Sequence, residues 1–189
     1  MSLHVVTAVG EYLGRLPFHD TTRTDEFASV FMAGGRLIAV EDDQSSLLQF
    51  CQNIRALDEV DQFLADNGIA KSCFTEMTTQ GILATGPAET AFSWLGDCTL
   101  VPAGRSLGFT DDGLLLLSPQ DDVLQVSPAY YWLWTYSRTG RSLAAVYRFL
   151  TGDAAIGDAA AASVEELSQA VMHMLSYNMG RLDRPRPAE

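Results

Sequence analysis

The side chains that most often carry out catalysis are sparse in this chain. Its three histidines and three cysteines are scattered over 189 residues, without the spacing of a metal-binding or nucleophile–base motif. A Ser-His-Asp order, a glycine-rich phosphate loop and an HExxH sequence are all absent. The sequence therefore predicts a protein with no catalytic residues, no metal site and no cofactor. The six residues concerned are His4, His19, His173, Cys51, Cys73 and Cys98.

Paired carboxylates are the other candidates for chemistry. They occur at positions 42–43, 111–112 and 121–122. Acidic pairs of this kind are typical of solvated turns, although together they could form an acidic face. A metal site built from them is a less favoured alternative. We therefore interpret them as surface turns.

The net charge of the chain argues against one large class of partners. The chain carries a net charge of −12, and Lys71 is the only lysine among its 12 basic residues. A negative excess of this size repels phosphate backbones. The sequence therefore predicts neutral or basic partners and no nucleic acid.

Composition and the N-terminal sequence bear on the compartment. The start, MSLHVVTAVGEYLGRL, lacks the basic region and sustained apolar stretch of a signal peptide. No run approaches the roughly 18 apolar residues of a membrane span, and an odd number of widely spaced cysteines is typical of reduced thiols. A hydrophobic content of 47% describes a chain that can bury a core. We expect a cytoplasmic protein with no membrane partner.

A pattern that occurs twice organises the chain. An offset of 86 positions places Val40–Leu64 on Val126–Leu150 without a gap, with seven identical pairs, so that RALDEVDQFL falls on RSLAAVYRFL. Further on, an offset of 99 places Thr79–Leu83 on Asn178–Leu182, and the 13 extra residues fall in the Ala/Gly-rich insert after Leu150. A period this long predicts a duplicated domain. Chance similarity between two amphipathic helices is the alternative.

Each half of the chain has strand-forming runs, then three helical segments and a short final strand. Gly34-Gly35 predicts a tight hairpin, Pro128 fits the first turn of a helix, and Ser163 with Glu166 forms a capping box. The predicted fold is α+β, with two tandem winged-helix-like units, each a β-hairpin or three-stranded sheet followed by three helices and a short wing strand. The predicted helices are Ser45–Ile54, Leu57–Asn67, Ala70–Gln80, Ala129–Ser137, Ser142–Leu150 and Ser163–Tyr177. The predicted organisation is a first unit at 1–90, a linker at 91–105, a second unit at 106–184 and a disordered tail at 185–189.

The second half resembles a known family. The matching segments are the strands LLLLSP and LQVSP, the phrase TGRSLAAVYRFL with Gly140-Arg141-Ser142-Leu143, and the ending Gly180-Arg181-Leu182. These features are similar to PqqD-like domains, the small winged-helix domains called RiPP recognition elements, which bind the leader peptides of ribosomally made precursors. The first unit matches less completely, because it has Ile54 in place of the glycine before helix two and a shortened third helix.

The resemblance implies a non-catalytic protein that binds a precursor leader peptide and presents it to a peptide-modifying enzyme. In this family the peptide adds as a strand to the edge of the hairpin and lies against helix three. On this sequence the implied edge is Val123, Leu124, Gln125 and Val126, and the implied helix face is Leu167, Ala170, Val171 and Met174. For at least half of the four helix residues the alternative is the domain core, because a helix buries one stripe.

One predicted helix is unusually rich in aromatic residues. In AYYWLWTYS the aromatic side chains surround the helix axis, which is typical of a helix buried on more than one face. Packing between the two units is the first interpretation. The second is an interface for a partner enzyme, formed by Tyr131, Trp132 and Trp134. A homodimer also stays open.

Two other classes of function stay open. A non-catalytic subunit could stabilise a biosynthetic enzyme without touching its substrate. A winged-helix transcriptional regulator would contact DNA through helix three, but SVEELSQAVMHMLSYN has no Arg or Lys that could bind phosphates.

Overall fold

The computed structural model describes residues 3–17, 27–111, 113–151 and 163–185. It divides into two compact units, Val5–Thr85 and Gly86–Pro185, the second of which also includes the start of the chain. We call them the N-terminal unit and the C-terminal unit. The described residues contain seven α-helices and several small antiparallel sheets, which confirms the predicted α+β class. The Ala/Gly-rich insert at 152–162 and residues 186–189 of the predicted tail lie outside the described ranges.

The N-terminal unit consists of two small sheets and three helices. The elements are β1 (His4–Ala8), β2 (Glu11–Leu16), β3 (Ala28–Ala33), β4 (Arg36–Val40), α1 (Asp42–Cys51), β5 (Arg55–Ala56), α2 (Leu57–Asp66), α3 (Lys71–Thr79) and β6 (Leu83–Pro87). Strand β1 lies between β5 and β6, and the other sheet is an antiparallel meander with the order β2-β3-β4. Val6, Phe31, Leu47 and Leu64 from these layers share one buried core.

The C-terminal unit has a similar order of elements, but a short helix precedes it and no strand among its described residues corresponds to β5. Its elements are α4 (Ala91–Leu95), β7 (Thr99–Pro102), β8 (Arg105–Thr110), β9 (Gly113–Leu117), β10 (Val123–Val126), α5 (Pro128–Ser137), α6 (Leu143–Thr151), α7 (Val164–Ser176) and β11 (Gly180–Asp183). Strands β8, β9 and β10 form an antiparallel meander in which β9 is central, and β11 pairs with β7. The unit therefore repeats the arrangement of the N-terminal unit.

The first meander strand of each unit carries the same irregularity. A β-bulge lies between Tyr12 and Gly14 in β2, and another lies between Ser106 and Gly108 in β8. The two glycines have φ values of 87° and 85°, a left-handed conformation that favours glycine. The first meander strands of the two units therefore share the same backbone irregularity, as the repeat in the sequence predicts.

The backbone shifts the second part of the repeat by two positions. Ile82 O accepts a hydrogen bond of 2.8 Å from a backbone N–H just after β1, and Met179 O accepts one of the same length from a backbone N–H just after β7. Ile82 and Met179 therefore occupy equivalent positions in the two units. The sequence offset of 99 instead paired Gly81 with Gly180. Gly81 and Asn178, with φ values of 67° and 52°, both occupy the left-handed position after a helix. Asparagine tolerates this conformation better than most residues. Asn178 therefore occupies in the C-terminal unit the position that Gly81 occupies in the N-terminal unit.

Residues 91–105, predicted as a linker, instead form α4 and β7 and belong to the C-terminal unit. Phe92, Leu95 and Leu100 are 6%, 0% and 0% exposed, and the Phe92 backbone N–H donates to Ser168 Oγ at 3.2 Å. The segment is therefore part of the core. With five residues, α4 is too short for helical periodicity to show, and the glycines and proline around it resemble those of a linker.

The strands differ from the prediction in two further ways. The segment that follows the first strand, as far as Asp25, is predicted from its sequence to be a polar connector, but Glu11–Leu16 within it form strand β2. The trailing strands β6 and β11 pair with β1 and β7, the strands that open their units, and not with the meanders. Each predicted wing strand is therefore part of a separate small sheet.

Local hydrogen bonds fix the elements that surround the candidate site. Ser127 Oγ accepts from the Tyr130 backbone N–H at 3.2 Å and begins α5, as Pro128 predicts. The capping box predicted for α7 is confirmed, because Ser163 Oγ accepts from the Glu166 N–H and Glu166 Oε2 accepts from the Ser163 N–H. Ser118 Oγ accepts from the Asp122 N–H at 3.0 Å and closes the turn between β9 and β10.

Candidate functional site

An open groove of about 480 Å³ lies between strand β10, the start of α5 and helix α7. We call it the β10–α7 groove. All of its lining residues belong to the C-terminal unit. They are Leu124, Gln125, Val126, Ser127, Tyr130, Glu166, Gln169, Ala170, His173 and Tyr177.

The strand side of the groove is an edge of the meander. Strand β10 pairs with β9 over its whole length, from Val123 opposite Leu117 to Val126 opposite Leu114. Within the described ranges no strand pairs with its other side. In an antiparallel strand every second residue directs its backbone N–H and C=O away from the neighbour. The outer side of β10 therefore offers main-chain groups to which a further strand could bind.

The side chains of β10 alternate between two environments. Leu124 and Val126 are half-buried and line the groove, whereas Val123 is 58% exposed and does not line it. This alternation is the two-residue period of a strand with one face toward a core. The strand therefore gives the groove an apolar wall.

The helix side of the groove is polar at its rim. Glu166, Gln169, His173 and Tyr177 are exposed and recur every three or four residues along one face of α7 and its C-terminal end. The rings of His173 and Tyr177 form an edge-to-face pair with centroids 6.2 Å apart. One Glu166 oxygen is engaged at the helix start, so its position is fixed by the fold.

The floor of the groove consists of Ala170 and Tyr130, which are 4% and 6% exposed. The small Ala170 side chain leaves a recess between the strand wall and the helix rim. Tyr130 Oη is buried and has no hydrogen-bond partner among the described residues. Burial, and to a lesser extent the nearby Tyr177 phenol, raise the pKa of Tyr130, so its hydroxyl stays protonated at neutral pH.

The structure separates the residues that the sequence assigned to the peptide-binding face. Leu124, Gln125, Val126 and Ala170 lie together in the groove. Leu167, Val171 and Met174 have no exposed surface and belong to the core of the C-terminal unit. These residues were assigned to peptide binding because they form the apolar stripe of α7. That stripe is the face that a helix buries.

Six residues of the groove were missed from the sequence, one of which is Ser127 at the start of α5. Glu166, Gln169, His173 and Tyr177 flank the apolar stripe of α7, and their spacing beside Ala170 could have identified the rim. Tyr130 was passed over in favour of its aromatic neighbours. Only the fold shows which aromatic side chain of α5 lies beside α7.

The predicted aromatic interface is partly internal to the C-terminal unit. Trp134 is 4% exposed, its Nε1–H donates to Ala103 O at 2.8 Å, and the Arg138 guanidinium lies 4.0 Å from its ring centroid. Trp134 is therefore a buried, hydrogen-bonded residue and not a contact for a partner. Tyr131 and Trp132 are half-buried, and the Tyr131 hydroxyl lies 3.0 Å from Ser106 Oγ.

The three cysteines lie in surroundings that disfavour the reactive thiolate. Burial raises the pKa of the Cys51 thiol to about 12 and that of Cys98 to about 11. Burial, with Asp43 next in importance, also raises the pKa of Cys73. Thiols with raised pKa values stay protonated and are weak nucleophiles. The described ranges contain no cluster of three or more His, Cys, Asp or Glu residues suited to a metal ion.

The search for a membrane segment gives one finding. Within the described parts of the chain, no helix combines the length and the apolar character that crossing a bilayer requires. The longest described helix, α7, has 13 residues and an exposed polar rim.

Comparisons of the chain with protein-family models, with curated proteins and with solved structures find no match.

Proposed function

We propose that the chain binds an extended peptide as an added strand along β10, with the peptide side chains held against α7. The β10–α7 groove supports this proposal, because it combines a strand edge, with which no further strand pairs within the described ranges, and a recess of about 480 Å³ on the same side. A strand edge supplies main-chain hydrogen bonds, and a recess beside it selects alternate side chains. The ligand we propose is the leader of a ribosomally made precursor peptide, which the chain would present to a modifying enzyme in the cytoplasm.

The dimensions of the groove favour a short peptide segment over a compact ligand. The four residues of β10 span about 13 Å at the usual rise of a strand. A cavity of this volume could also hold a small molecule. A small molecule, however, would not form the row of main-chain hydrogen bonds that the edge of β10 can make with a strand. The peptide proposal accounts for both walls of the groove.

The finer fold assignment belongs to the same proposal. The meander β8-β9-β10 followed by α5, α6 and α7 has the element order of the winged-helix domains that the sequence resembles. The N-terminal unit repeats this order. We propose a tandem of two such domains, each extended by the small sheet that its first and last strands form.

Charge argues against the transcriptional alternative. The residues of α7 that face the groove include Glu166, and the helix has neither Lys nor Arg between Val164 and Ser176. A DNA-binding helix would need such residues to offset phosphate repulsion. The enzyme-subunit alternative would use the half-buried Tyr131 and Trp132, and tight enzyme binding without peptide affinity would favour it.

The test is fluorescence anisotropy with the labelled leader of a small precursor peptide encoded beside the protein, at low salt. We expect micromolar or tighter binding and no response from a duplex DNA control. Leu124→Asp should weaken binding at least tenfold, because a carboxylate on the groove wall opposes the apolar contact. The matched control is Leu107→Asp, since Leu107 is 40% exposed on β8 at the opposite edge of the same sheet.

A second readout tests strand addition itself. N-methylation removes one backbone N–H from the peptide, so a scan along it should weaken binding at every second position. A uniform loss, or equal effects of the two aspartate variants, would place the peptide elsewhere on the chain. Binding of DNA that falls with salt would replace the peptide proposal with the regulatory one.

A further inference from the structure

The unpartnered hydroxyl of Tyr130 is the feature of the groove that peptide binding alone does not explain. Tyr130 is 6% exposed, and Tyr130 Oη is enclosed without a hydrogen-bond partner among the described residues. Buried polar groups are nearly always hydrogen-bonded, because leaving one unpaired costs free energy. An enclosed hydroxyl without a partner, on a side chain that lines an open groove, is the kind of group that a ligand completes.

We infer that the bound peptide places one amide side chain, asparagine or glutamine, in the recess over Ala170, where its carbonyl oxygen accepts a hydrogen bond from Tyr130 Oη. This inference rests on the proposed peptide-binding function. It adds the chemical identity of the residue that the groove selects.

The floor of the recess sets the character of that side chain. Ala170 and the Tyr130 ring are apolar surfaces, and Leu124 and Val126 form the wall beside them. The stem of the ligand side chain must therefore be aliphatic. An acceptor at its tip would bind the hydrogen that the protonated Tyr130 hydroxyl has to donate.

The rim distinguishes an amide from a charged group. Glu166 lines the groove and would repel a carboxylate on the ligand. A lysine could approach Glu166, but Glu166 is exposed at the rim, and an ammonium group over the apolar floor would lose its hydration without a carboxylate beside it. A neutral amide accepts from Tyr130 at the floor and can donate to Glu166 or Gln169 at the rim.

Entry to the recess involves Tyr177. Because Tyr130 Oη is enclosed, a ligand group reaches it only when a neighbouring side chain moves. Tyr177 lines the groove, its phenol is close enough to raise the pKa of Tyr130, and it is 53% exposed just beyond the end of α7. It is the groove residue best placed to turn aside.

The test uses four fluorescein-labelled host peptides of alternating threonine and valine, each about ten residues long to exceed the length of one strand. They differ only at the central position, which is Gln, Leu, Glu or Lys. Affinities are measured by anisotropy for the wild-type chain, for Tyr130→Phe and for the matched control Tyr131→Phe. The control removes the hydroxyl of the adjacent residue, which lies 3.0 Å from Ser106 Oγ and outside the groove.

We expect the wild-type chain and Tyr131→Phe to prefer the Gln peptide over the Leu peptide by about tenfold, the size of one hydrogen bond to a buried group. Tyr130→Phe should remove this preference and leave the affinity for the Leu peptide within about twofold. A Tm of Tyr130→Phe that is no lower than that of the wild-type chain shows that the lost preference is not caused by misfolding.

Other outcomes overturn the inference separately from the proposed function. Equal binding of the Gln and Leu peptides that is still sensitive to Leu124→Asp would keep strand addition and reject the amide. Tightest binding of the Glu or Lys peptide, or a Gln preference that survives in Tyr130→Phe, would also reject it. No binding of any of the four peptides at millimolar concentration would overturn both proposals.

Discussion

Replacing Tyr130 with phenylalanine should stabilise the protein when no peptide is bound. The change removes one hydroxyl and leaves the ring, so the packing of the groove floor is unchanged. In the unfolded chain the tyrosine hydroxyl is hydrogen-bonded to water, whereas in the folded chain Tyr130 Oη has no partner within the described ranges. Folding therefore costs the wild-type side chain a hydrogen bond that the variant never makes.

The expected size follows from the burial of the group. A buried donor or acceptor left without a partner costs about 1–3 kcal/mol. The lower end applies here, because Tyr130 lines an open groove. We expect the free energy of unfolding to rise by about 1 kcal/mol, which for a unit of this size raises Tm by about 4 °C.

The chain offers a convenient assay and control. All three tryptophans, Trp94, Trp132 and Trp134, belong to the C-terminal unit. Tryptophan fluorescence during urea unfolding therefore reports the stability of the unit that contains the groove. Tyr131→Phe is the control, because its hydroxyl already has a partner in Ser106, and its loss should lower stability by about 0.5–1 kcal/mol.

The two tyrosine variants should thus change stability in opposite directions. A decrease of 1 kcal/mol or more for Tyr130→Phe would show that the hydroxyl already has a partner, such as an ordered water, and the argument for a ligand group would fail. With a saturating amide-bearing peptide the order should reverse, because the ligand stabilises the wild-type chain more than the variant.

Three further predictions concern the core, the thiols and the end of α7. Leu167→Ala should destabilise the chain by about 2–5 kcal/mol because Leu167 is fully buried, whereas the exposed Gln169→Ala should change the unfolding free energy by less than about 0.5 kcal/mol and weaken peptide binding; urea unfolding and anisotropy separate the two, and the reverse pattern would reject the division between core and rim. The folded pKa of Cys98 is raised from 9.0 to about 11, so stability that is fully present below pH 9 should be lost as pH rises through 11. Unfolding at pH 8 and pH 11 should show about 2 kcal/mol less loss in Cys98→Ala, and an unchanged slope would contradict burial of that thiol. Asn178→Gly should keep or raise Tm, while Asn178→Val should lower stability by about 1–2 kcal/mol, because a β-branched residue disfavours the φ of 52°; equal effects would argue against a left-handed residue at this position.

The parts of the fold that were predictable follow from local chemistry. The start of α7 depends on two side chains, Ser163 and Glu166, that bond to the backbone within three residues, so its sequence is sufficient to place it. The two-residue alternation of Val123 to Val126 likewise follows from the strand itself. Both predictions needed no knowledge of what lies across the core.

The parts that were missed depend on contacts between distant residues. Helix α4 and strand β7 are stabilised by α7 and β11, which follow about 80 residues later, and neither is long enough to show a period of its own. The sequence shows that α7 has an apolar stripe and a polar rim, but it does not show which of the two lines the groove. The apolar stripe was assigned to peptide binding, although the helix needs this stripe for the core. Trp134 and Tyr130 have similar surroundings in sequence and different ones in space.

The repeat itself shows why the candidate site belongs to the C-terminal unit. The offset of 86 places Gln44 at the position of Tyr130 and Glu41 at that of Ser127. In α1 the Gln44 side chain turns back and accepts a hydrogen bond from the Glu41 backbone N–H at 3.1 Å, so this residue caps its own helix. In α5 the Ser127 hydroxyl caps the helix instead, and the residue at the repeated position no longer has a capping role. The Tyr130 side chain therefore lines the groove, and its hydroxyl has no partner within the described ranges. The amide contact we infer thus has no counterpart in the N-terminal unit. Exchanging Tyr130 for glutamine should remove the selectivity for an amide without unfolding α5.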